Sequence, residues 1–257
     1  MLYPITIFSR SRRSSPHHLL LSDASMPPGG LSTVISRFWS CLLSLIILSL
    51  TVLPVFTGES FVISERTLKK AEDRYGLDAR KRLLDWQNLI QTEGSDNLEK
   101  LEKVNRFMNR IPFISDAIHW GKDDYWATPV EFLASNGGDC EDFAIAKYFT
   151  LIKLGIAENQ LTLTYVKALR LNQAHLVLTY YAAPGKEPLV LDNIIDSIEP
   201  SSKRTDLLPV YSFNGAGLWL AKQRNKGKLL GDSSRLKRWQ DLLDRMTEQI
   251  QENEDTP

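Results

Sequence analysis

The chain has 257 residues, of which 43% are hydrophobic and 24% charged, a composition typical of a folded globular protein. Lysine plus arginine and aspartate plus glutamate each total 31, so no net charge favours a polyanion such as nucleic acid as a partner. The charge is unevenly distributed, because residues 1–58 hold four arginines and the single acid Asp23. The sequence therefore predicts a basic leading segment ahead of a mildly acidic body.

The leading segment has the parts of a secretory signal. Arg37 is followed by an uncharged, largely apolar stretch over residues 38–56 and then by the small residues Thr57 and Gly58. The stretch is also long enough to span a bilayer. Residues 1–58 are therefore predicted to be a signal peptide or an N-terminal membrane anchor.

The true start of the chain has two candidates. Residues 1–30 are rich in serine and proline, which is unlike the short basic start of a signal, and Met26 is an alternative initiator to Met1. With either start, we expect residues 59–257 to be exported as the folded domain.

A single cysteine remains in the predicted exported domain. Cys41 lies inside the apolar stretch, which leaves Cys140 as the only thiol of residues 59–257. Oxidising compartments usually contain paired cysteines, so an unpaired one is a candidate reactive group. The alternative is a small buried hydrophobic side chain, which is the usual role of a lone cysteine.

Helices are predicted for the front half of the domain. Apolar residues recur at three- and four-residue spacing between residues 65 and 111, with breaks at Gly76 and at Gly94-Ser95 and a stop at Pro112. Thr128-Pro129-Val130-Glu131 is a capping-box start for a short helix.

A longer, largely apolar helix follows the tight turn at residues 135–138. It is predicted to begin at Cys140, capped by Asp139, and to end near Leu154.

Beyond Gly155 the pattern changes to the alternation of strands. Leu161–Leu169, His175–Tyr181 and Pro188–Asp192 predict an antiparallel meander, and Tyr211–Phe213 is a candidate fourth strand. Residues 233–251 predict an amphipathic tail helix. The predicted fold class is α+β, with a helical part packed on a small antiparallel sheet.

A cysteine nucleophile needs a base and a third group that orients the base. The domain offers two histidines, His119 and His175. Cys140 is placed in the first turn of its helix, where the helix dipole favours the thiolate and free backbone N–H groups can stabilise an oxyanion. His175 near the start of one strand and Asp192 at the end of the next would meet in a meander. Separately, each has an ordinary alternative, a surface histidine and a turn-forming aspartate.

Three acids surround the candidate nucleophile. Asp139, Glu141 and Asp142 would oppose ionisation of the thiol, and a bound hard cation would cancel their charge. Oxygen-only ligands suit Ca²⁺, and Asp123 and Asp124 of the preceding loop are candidates to complete the shell. The alternative is that acids in a first helical turn only cap the helix.

Four aromatic residues are candidates for a groove that binds substrate or a receptor: Trp120, Tyr125, Trp126 and Trp219. Their alternative is the hydrophobic core, which is the more common place for such side chains.

Residues 123–151 strongly resemble the bacterial transglutaminase-like cysteine proteinases, and among these they resemble the LapG-type periplasmic proteases. His175–Leu178 and Val190–Asn193 resemble that family's histidine and aspartate segments, and the similarity runs from about Trp86 to Tyr211. The resemblance implies a papain-like fold of the transglutaminase type. It also implies the catalytic roles of Cys140, His175 and Asp192.

The resemblance implies regulated proteolysis in the periplasm as well. Family members cut large outer-membrane adhesins of the RTX type near their N-termini and so control biofilm attachment. A cyclic di-GMP receptor in the inner membrane sequesters the protease, and calcium binds at the acids beside the cysteine, here Asp139 and Glu141. The family pattern gives His119 no catalytic role. The alternatives are a transglutaminase-type acyl transferase or deamidase with the same triad, and a non-catalytic binding module.

Overall fold

The computed structural model of the chain describes residues 61–91, 96–220 and 228–254, and the predicted leader of residues 1–58 lies outside them. Its first three helices are α1 (Glu65–Tyr75), α2 (Leu77–Ile90) and α3 (Asn97–Met108). Gly76 separates α1 from α2 with a φ of 86°, a value that glycine adopts without strain. The predicted helical start of the domain and its break at Gly76 are confirmed.

Three further helices lead to the candidate nucleophile: α4 (Asp116–His119), α5 (Pro129–Ser135) and α6 (Cys140–Lys153). The predicted capping box starts α5, because the Thr128 hydroxyl accepts from the Glu131 N–H and a Glu131 carboxylate oxygen accepts from the Thr128 N–H. Nearly every side chain of α6 from Cys140 to Leu151 is buried. This helix is therefore central to the domain, as its apolar pattern predicted.

The sheet of the described residues has the strand order β4-β3-β2-β1-β5-β6-β7, with antiparallel pairing throughout. The strands are β1 (Leu161–Ala168), β2 (Gln173–Tyr180), β3 (Leu189–Leu191), β4 (Glu199–Pro200), β5 (Leu207–Asn214), β6 (Gly217–Leu220) and β7 (Leu229–Gly231). The predicted meander is β1, β2 and β3.

The other half of the sheet is larger than the sequence predicted. The candidate strand at Tyr211–Phe213 is the end of the eight-residue β5, which pairs with β1 on the side opposite β2. Pro209 interrupts the hydrophobic alternation of β5, and a proline within a run argues against a strand. Strand β7 has three residues, too few for a periodic signal.

The core joins the helices to one face of the sheet. Helix α6 contacts α3 and α5 and also strands β1 and β2. Buried side chains from all these elements form one cluster, which includes Met108, Phe132, Ile145, Leu163 and Leu178. The packing of α6 on β2 brings the helix start near the strand that carries His175.

The tail helix α7 (Lys237–Glu254) covers part of this core. Trp239 is 1% exposed, stacks on Phe149 with ring centroids 5.7 Å apart, and meets the edge of Phe213. The helix starts a few residues later than predicted, because Ser233–Arg235 forms a 3-10 turn. Among the described residues, no helix combines the length and apolar character that a membrane span requires.

Candidate active site

Cys140 is the first residue of α6, and the glycines before it are required by close packing. A Cβ on Gly138 would lie 2.4 Å from an Asp142 carboxylate oxygen, and one on Gly137 would lie 2.7 Å from the Ile114 side chain. The Gly138 carbonyl also accepts from the Ile114 N–H at 2.8 Å. The two glycines therefore let the loop before α4 lie against the turn that precedes the candidate nucleophile Cys140.

The thiol lies in an environment that keeps it protonated. Cys140 is 9% exposed, and its Sγ donates a hydrogen bond to Glu141 Oε2 at 2.8 Å. Burial raises the thiol pKa far above its ordinary value, and the charges of Glu141 and Asp139 raise it further. The Leu176 N–H donates to the sulfur and favours the thiolate, but this bond is the weaker influence. Attack by this sulfur requires that the negative charge around it be offset.

His175 lies on β2, directly before the residue whose N–H donates to the Cys140 sulfur. Its side chain is 2% exposed, and its Nε2 is 2.8 Å from Asp192 Oδ1. Because Nε2 is engaged with Asp192, Nδ1 is the ring nitrogen left to act on the thiol. His175, the predicted base, therefore lies beside Asp192, the predicted orienting acid. It also directly precedes Leu176, whose N–H donates to the Cys140 sulfur.

The Asp192 carboxylate has a full set of donors. Its Oδ1 accepts from His175 and from the N–H groups of Asn193 and Ile194, and its Oδ2 accepts from Arg204 Nη2 at 2.6 Å. Burial opposes ionisation of this group, but the bonds from His175 and Arg204 hold the pKa of Asp192 below its ordinary value. Asp192 is therefore an ionised, immobilised carboxylate.

The backbone of Asp192 is fixed from the helical side. Its carbonyl oxygen accepts from Asn109 Nδ2 of α3 and from Lys147 Nζ of α6, both at 2.9 Å. Lys147 is fully buried, and this burial lowers its pKa to about 7, although Asp192 and Asp196 favour its charged form. The helix that begins with the candidate nucleophile Cys140 thus also holds the backbone of the candidate orienting acid Asp192.

The acids around Cys140 form two overlapping groups. Ligand atoms of Asp116, Asp139 and Asp142 lie within 4.8 Å of one another, as do those of Asp139, Cys140 and Glu141. Burial and the nearby Glu141 raise the pKa of Asp139 to about 8, and burial raises that of Asp116 to about 6. An oxygen of Asp116 and one of Asp139 are buried without a hydrogen-bond partner. These orphaned, crowded oxygens fit a hard cation such as Ca²⁺.

Asp142 has a second role within this cluster. It is fully buried, and its carboxylate accepts from the Ala127 N–H at 2.7 Å and from the Asp139 N–H at 3.2 Å. It therefore ties the start of α6 to the chain that precedes α5.

The comparisons with known proteins agree on one family. A family model described as bacterial transglutaminase-like cysteine proteinase BTLCP matches residues 82–221, a range that contains Cys140, His175 and Asp192. The chain belongs to this family. It is a cysteine protease, as the sequence predicted.

Solved structures of LapG from Legionella pneumophila are similar along most of the chain. The EGTA-treated form is 47% identical over 73% of this chain and 99% of its own length, with a TM-score of 0.63. The calcium-bound form is 47% identical over 72% of this chain and 99% of its own length, with a TM-score of 0.61. No curated protein sequence matches the chain. The predicted LapG-type resemblance and the transglutaminase-like α+β fold are confirmed.

Several residues near the site were not singled out from the sequence. Asp116 belongs to the acidic cluster, whereas neither group contains Asp123 or Asp124, and Asp124 pairs with Arg238 at 2.9 Å. The only sequence signal for Lys147 was a lysine within an otherwise apolar helix face.

The aromatic candidates for a groove are all buried or half-buried. Trp120, Tyr125 and Trp219 are half-buried, and the first two pack against the core. Trp126 is 6% exposed and stacks on Phe213, so it belongs to the core rather than to a groove. Tyr165 and Tyr211 were not predicted as site residues. They stack at 5.0 Å, and burial together with the charge of Glu141 raises the pKa of both.

His119 contacts residues other than the three candidate catalytic ones. Its Nε2 is 2.8 Å from the Ser135 hydroxyl, and its ring lies against Gly137. These contacts agree with the structural role that we expect for it.

Proposed function

We propose that this cysteine protease is a calcium-dependent periplasmic endopeptidase that cuts a large RTX-type surface adhesin near its N-terminus and so controls biofilm attachment. The observation that carries the proposal is the carboxylate of Glu141 bonded directly to the nucleophilic thiol, within a cluster of buried acids. A thiol so placed needs a cation before it can react. The relative LapG of Legionella pneumophila has a calcium-bound structure, which supports the choice of calcium.

The chain's own residues account for peptide hydrolysis. His175 takes the thiol proton, the Cys140 sulfur attacks the scissile carbonyl carbon, and His175 then gives that proton to the departing amine. Asp192 holds the imidazole and stabilises its charged form. The Cys140 N–H at the start of α6, which has no intrahelical partner, is the backbone donor proposed for the oxyanion, whereas the N–H groups of Glu141 and Asp142 donate to the Asp139 carboxylate. Water, with His175 as base, then hydrolyses the acyl-enzyme.

Asp139 and Glu141 are the residues proposed to hold calcium, with Asp142 and the newly found Asp116 beside them. Bound calcium supplies positive charge that offsets the carboxylates around the thiol. The alternative, simple capping of α6, gives no reason for the orphaned oxygens of Asp116 and Asp139.

The proposed periplasmic location rests on the predicted leader and on the family resemblance. Residues 1–58 have a basic flank and a long apolar stretch, which supports export to the periplasm. A fusion of residues 1–58 to a reporter that matures only in the periplasm should be active, and activity of a cytoplasmic reporter instead would contradict export. The mass of the mature N-terminus distinguishes a cleaved signal from a retained anchor.

The proposed regulator is an inner-membrane cyclic di-GMP receptor that sequesters the protease. We expect the receptor's periplasmic domain to bind the protease and to block cleavage when cyclic di-GMP is bound on the cytoplasmic side. Co-purification with and without cyclic di-GMP tests this, and equal binding in both states would contradict the regulatory part alone.

Incubation with an N-terminal adhesin fragment tests the proposed reaction. We expect two products, which should disappear with excess chelator and return with calcium. Adding a primary amine to the same reaction separates hydrolysis from acyl transfer. Incorporation of the amine, or deamidation without chain cleavage, would favour the transglutaminase-type alternative.

A further inference from the structure

Arg204 is a buried arginine that contacts the orienting acid of the triad. It lies in the loop between β4 and β5, and its side chain is 4% exposed. Its Nη2 donates to Asp192 Oδ2 at 2.6 Å, across a separation of 12 residues. The same guanidinium makes two bonds to Asp206, from Nε at 3.0 Å and from Nη2 at 2.9 Å. Asp206 therefore fixes the plane of the guanidinium.

The two carboxylate oxygens of Asp192 accept different numbers of hydrogen bonds. Oδ1 accepts from His175 and from two backbone N–H groups, whereas the hydrogen bond that Oδ2 accepts comes from Arg204. The backbone of Asp192 is fixed by other residues, Asn109 and Lys147. Rotation of the carboxylate about its own bond is thus opposed at Oδ2 by the arginine.

We infer that Arg204 is a positioning residue of the protease, which acts through Asp192 to set the direction and the ionised state of the carboxylate that orients His175. Both side chains of the pair are buried, so removal of the arginine takes away the charge partner of Asp192 and leaves its Oδ2 without that hydrogen bond in the interior. Such a carboxylate turns towards other donors or takes up a proton. Either response weakens the hydrogen bond that orients the His175 imidazole, whose Nδ1 acts on the Cys140 thiol.

A purely structural role makes a different prediction. The Arg204–Asp192 pair also joins the loop before β5 to the end of β3, and loss of that link alone would lower stability without changing the active site of the folded molecules. The two roles are separated by the reactivity of folded protein and by a signal from the His175 ring.

The experiment uses the full chain with saturating calcium at one fixed pH. The first readout is the rate at which iodoacetamide alkylates Cys140, followed by mass spectrometry of its peptide so that Cys41 does not interfere. The second is the low-field proton resonance of the His175 ring N–H bonded to Asp192, and the third is the thermal midpoint. Alkylation needs no substrate, so its outcome does not depend on the adhesin proposal.

The variants are Arg204→Gln and Arg204→Lys, with Lys203→Ala as the matched control, because the neighbouring Lys203 side chain is 70% exposed. We expect Arg204→Gln to slow alkylation of Cys140 by at least about tenfold, since misplacing a catalytic group by ~1 Å costs on the order of a hundredfold. Its low-field resonance should be lost. Arg204→Lys keeps the charge without the planar fork and should recover part of the rate.

Asp206→Asn keeps the arginine and loosens its anchor, so it should slow alkylation by less than Arg204→Gln. The inference is overturned if folded Arg204→Gln alkylates at the wild-type rate with the resonance intact. It is also overturned if Arg204→Lys is no better than Arg204→Gln. Failure of both Arg204→Gln and Asp206→Asn to fold would assign the contact to folding instead.

Discussion

The Glu141 carboxylate accepts a hydrogen bond from the Cys140 thiol, its neighbour in the chain, at 2.8 Å. An acid in this position is unexpected beside a nucleophile, because a thiol that donates to a carboxylate is held in its unreactive, protonated form. A cation bound by the acids would bind the Glu141 carboxylate in place of the thiol. The thiol could then ionise more easily. The contact thus supplies a physical reason for the proposed calcium dependence.

We expect chelation to silence the protease reversibly, and Asp139→Ala or Glu141→Ala to mimic it. Asp123→Ala is the matched control, because Asp123 is an exposed acid outside both acidic groups. Magnesium should restore little activity, since it demands a tighter octahedral shell. Cleavage of the adhesin fragment, with calcium content verified, measures the outcome.

Simple helix capping makes a different prediction for the same variants. They would then lose roughly 1 kcal/mol of stability, and chelator would have no effect. Full activity in metal-free protein would refute the calcium requirement and leave the triad untouched.

The proposed triad of Cys140, His175 and Asp192 makes its own prediction. Cys140→Ala should abolish cleavage with little change in the thermal midpoint, because alanine is well accepted at a helix start. His175→Ala should be almost as damaging, since triad members act as a unit, and Asp192→Asn should cost less. His119→Ala is the control, as His119 bonds Ser135 and lies outside the triad. Loss of activity in His119→Ala but not in His175→Ala would show that the base is assigned wrongly.

The start of α6 was readable from the sequence because its signals are local. Two glycines, a capping acid and an apolar helix stand next to one another in the chain, and they fix the place of Cys140. The alignment of His175 with Asp192 was also predictable. It follows from two consecutive antiparallel strands, β2 and β3, with the acid directly after the second.

The contacts that complete the site were not predictable, because they join distant segments. Asp116 reaches the acidic cluster from α4, and Arg204 reaches Asp192 from a loop whose sequence is simply polar. No short-range pattern distinguishes these residues from ordinary surface charges. Strand β5 was underestimated for a related reason, since its pairing with β1 outweighs the local effect of Pro209.

Lys147 predicts a dependence of stability on alkaline pH. Burial lowers the pKa of its folded state to about 7, while the unfolded chain has the ordinary value of 10.5. Between these values the unfolded state binds the additional proton, so the contribution of Lys147 to stability rises as pH increases from about 7 to about 10. Lys147→Met should lack this contribution. The measurement is the thermal midpoint of the wild type minus that of Lys147→Met. This difference should increase as pH rises from about 7 to about 10.

The same linkage, with the opposite sign, applies to the acids of the proposed calcium site. Burial and neighbouring acids raise the folded-state pKa of Asp139 from 3.8 to about 8, and burial raises that of Asp116 from 3.8 to about 6. Without calcium, stability from these groups is present below about pH 4 and is lost as pH rises to about 8, because the folded state binds the additional protons.

Calcium that binds the ionised acids would release those protons, so we expect its stabilising effect to grow with pH. We expect calcium to raise the thermal midpoint more at about pH 8 than at about pH 5. Asp139→Asn should weaken the pH dependence, since the amide imitates the protonated acid and cannot release a proton. Calorimetric titration in buffers of different ionisation enthalpy should detect the released protons directly. An equal calcium effect at both pH values, without proton release, would mean that the acids are already ionised before calcium binds.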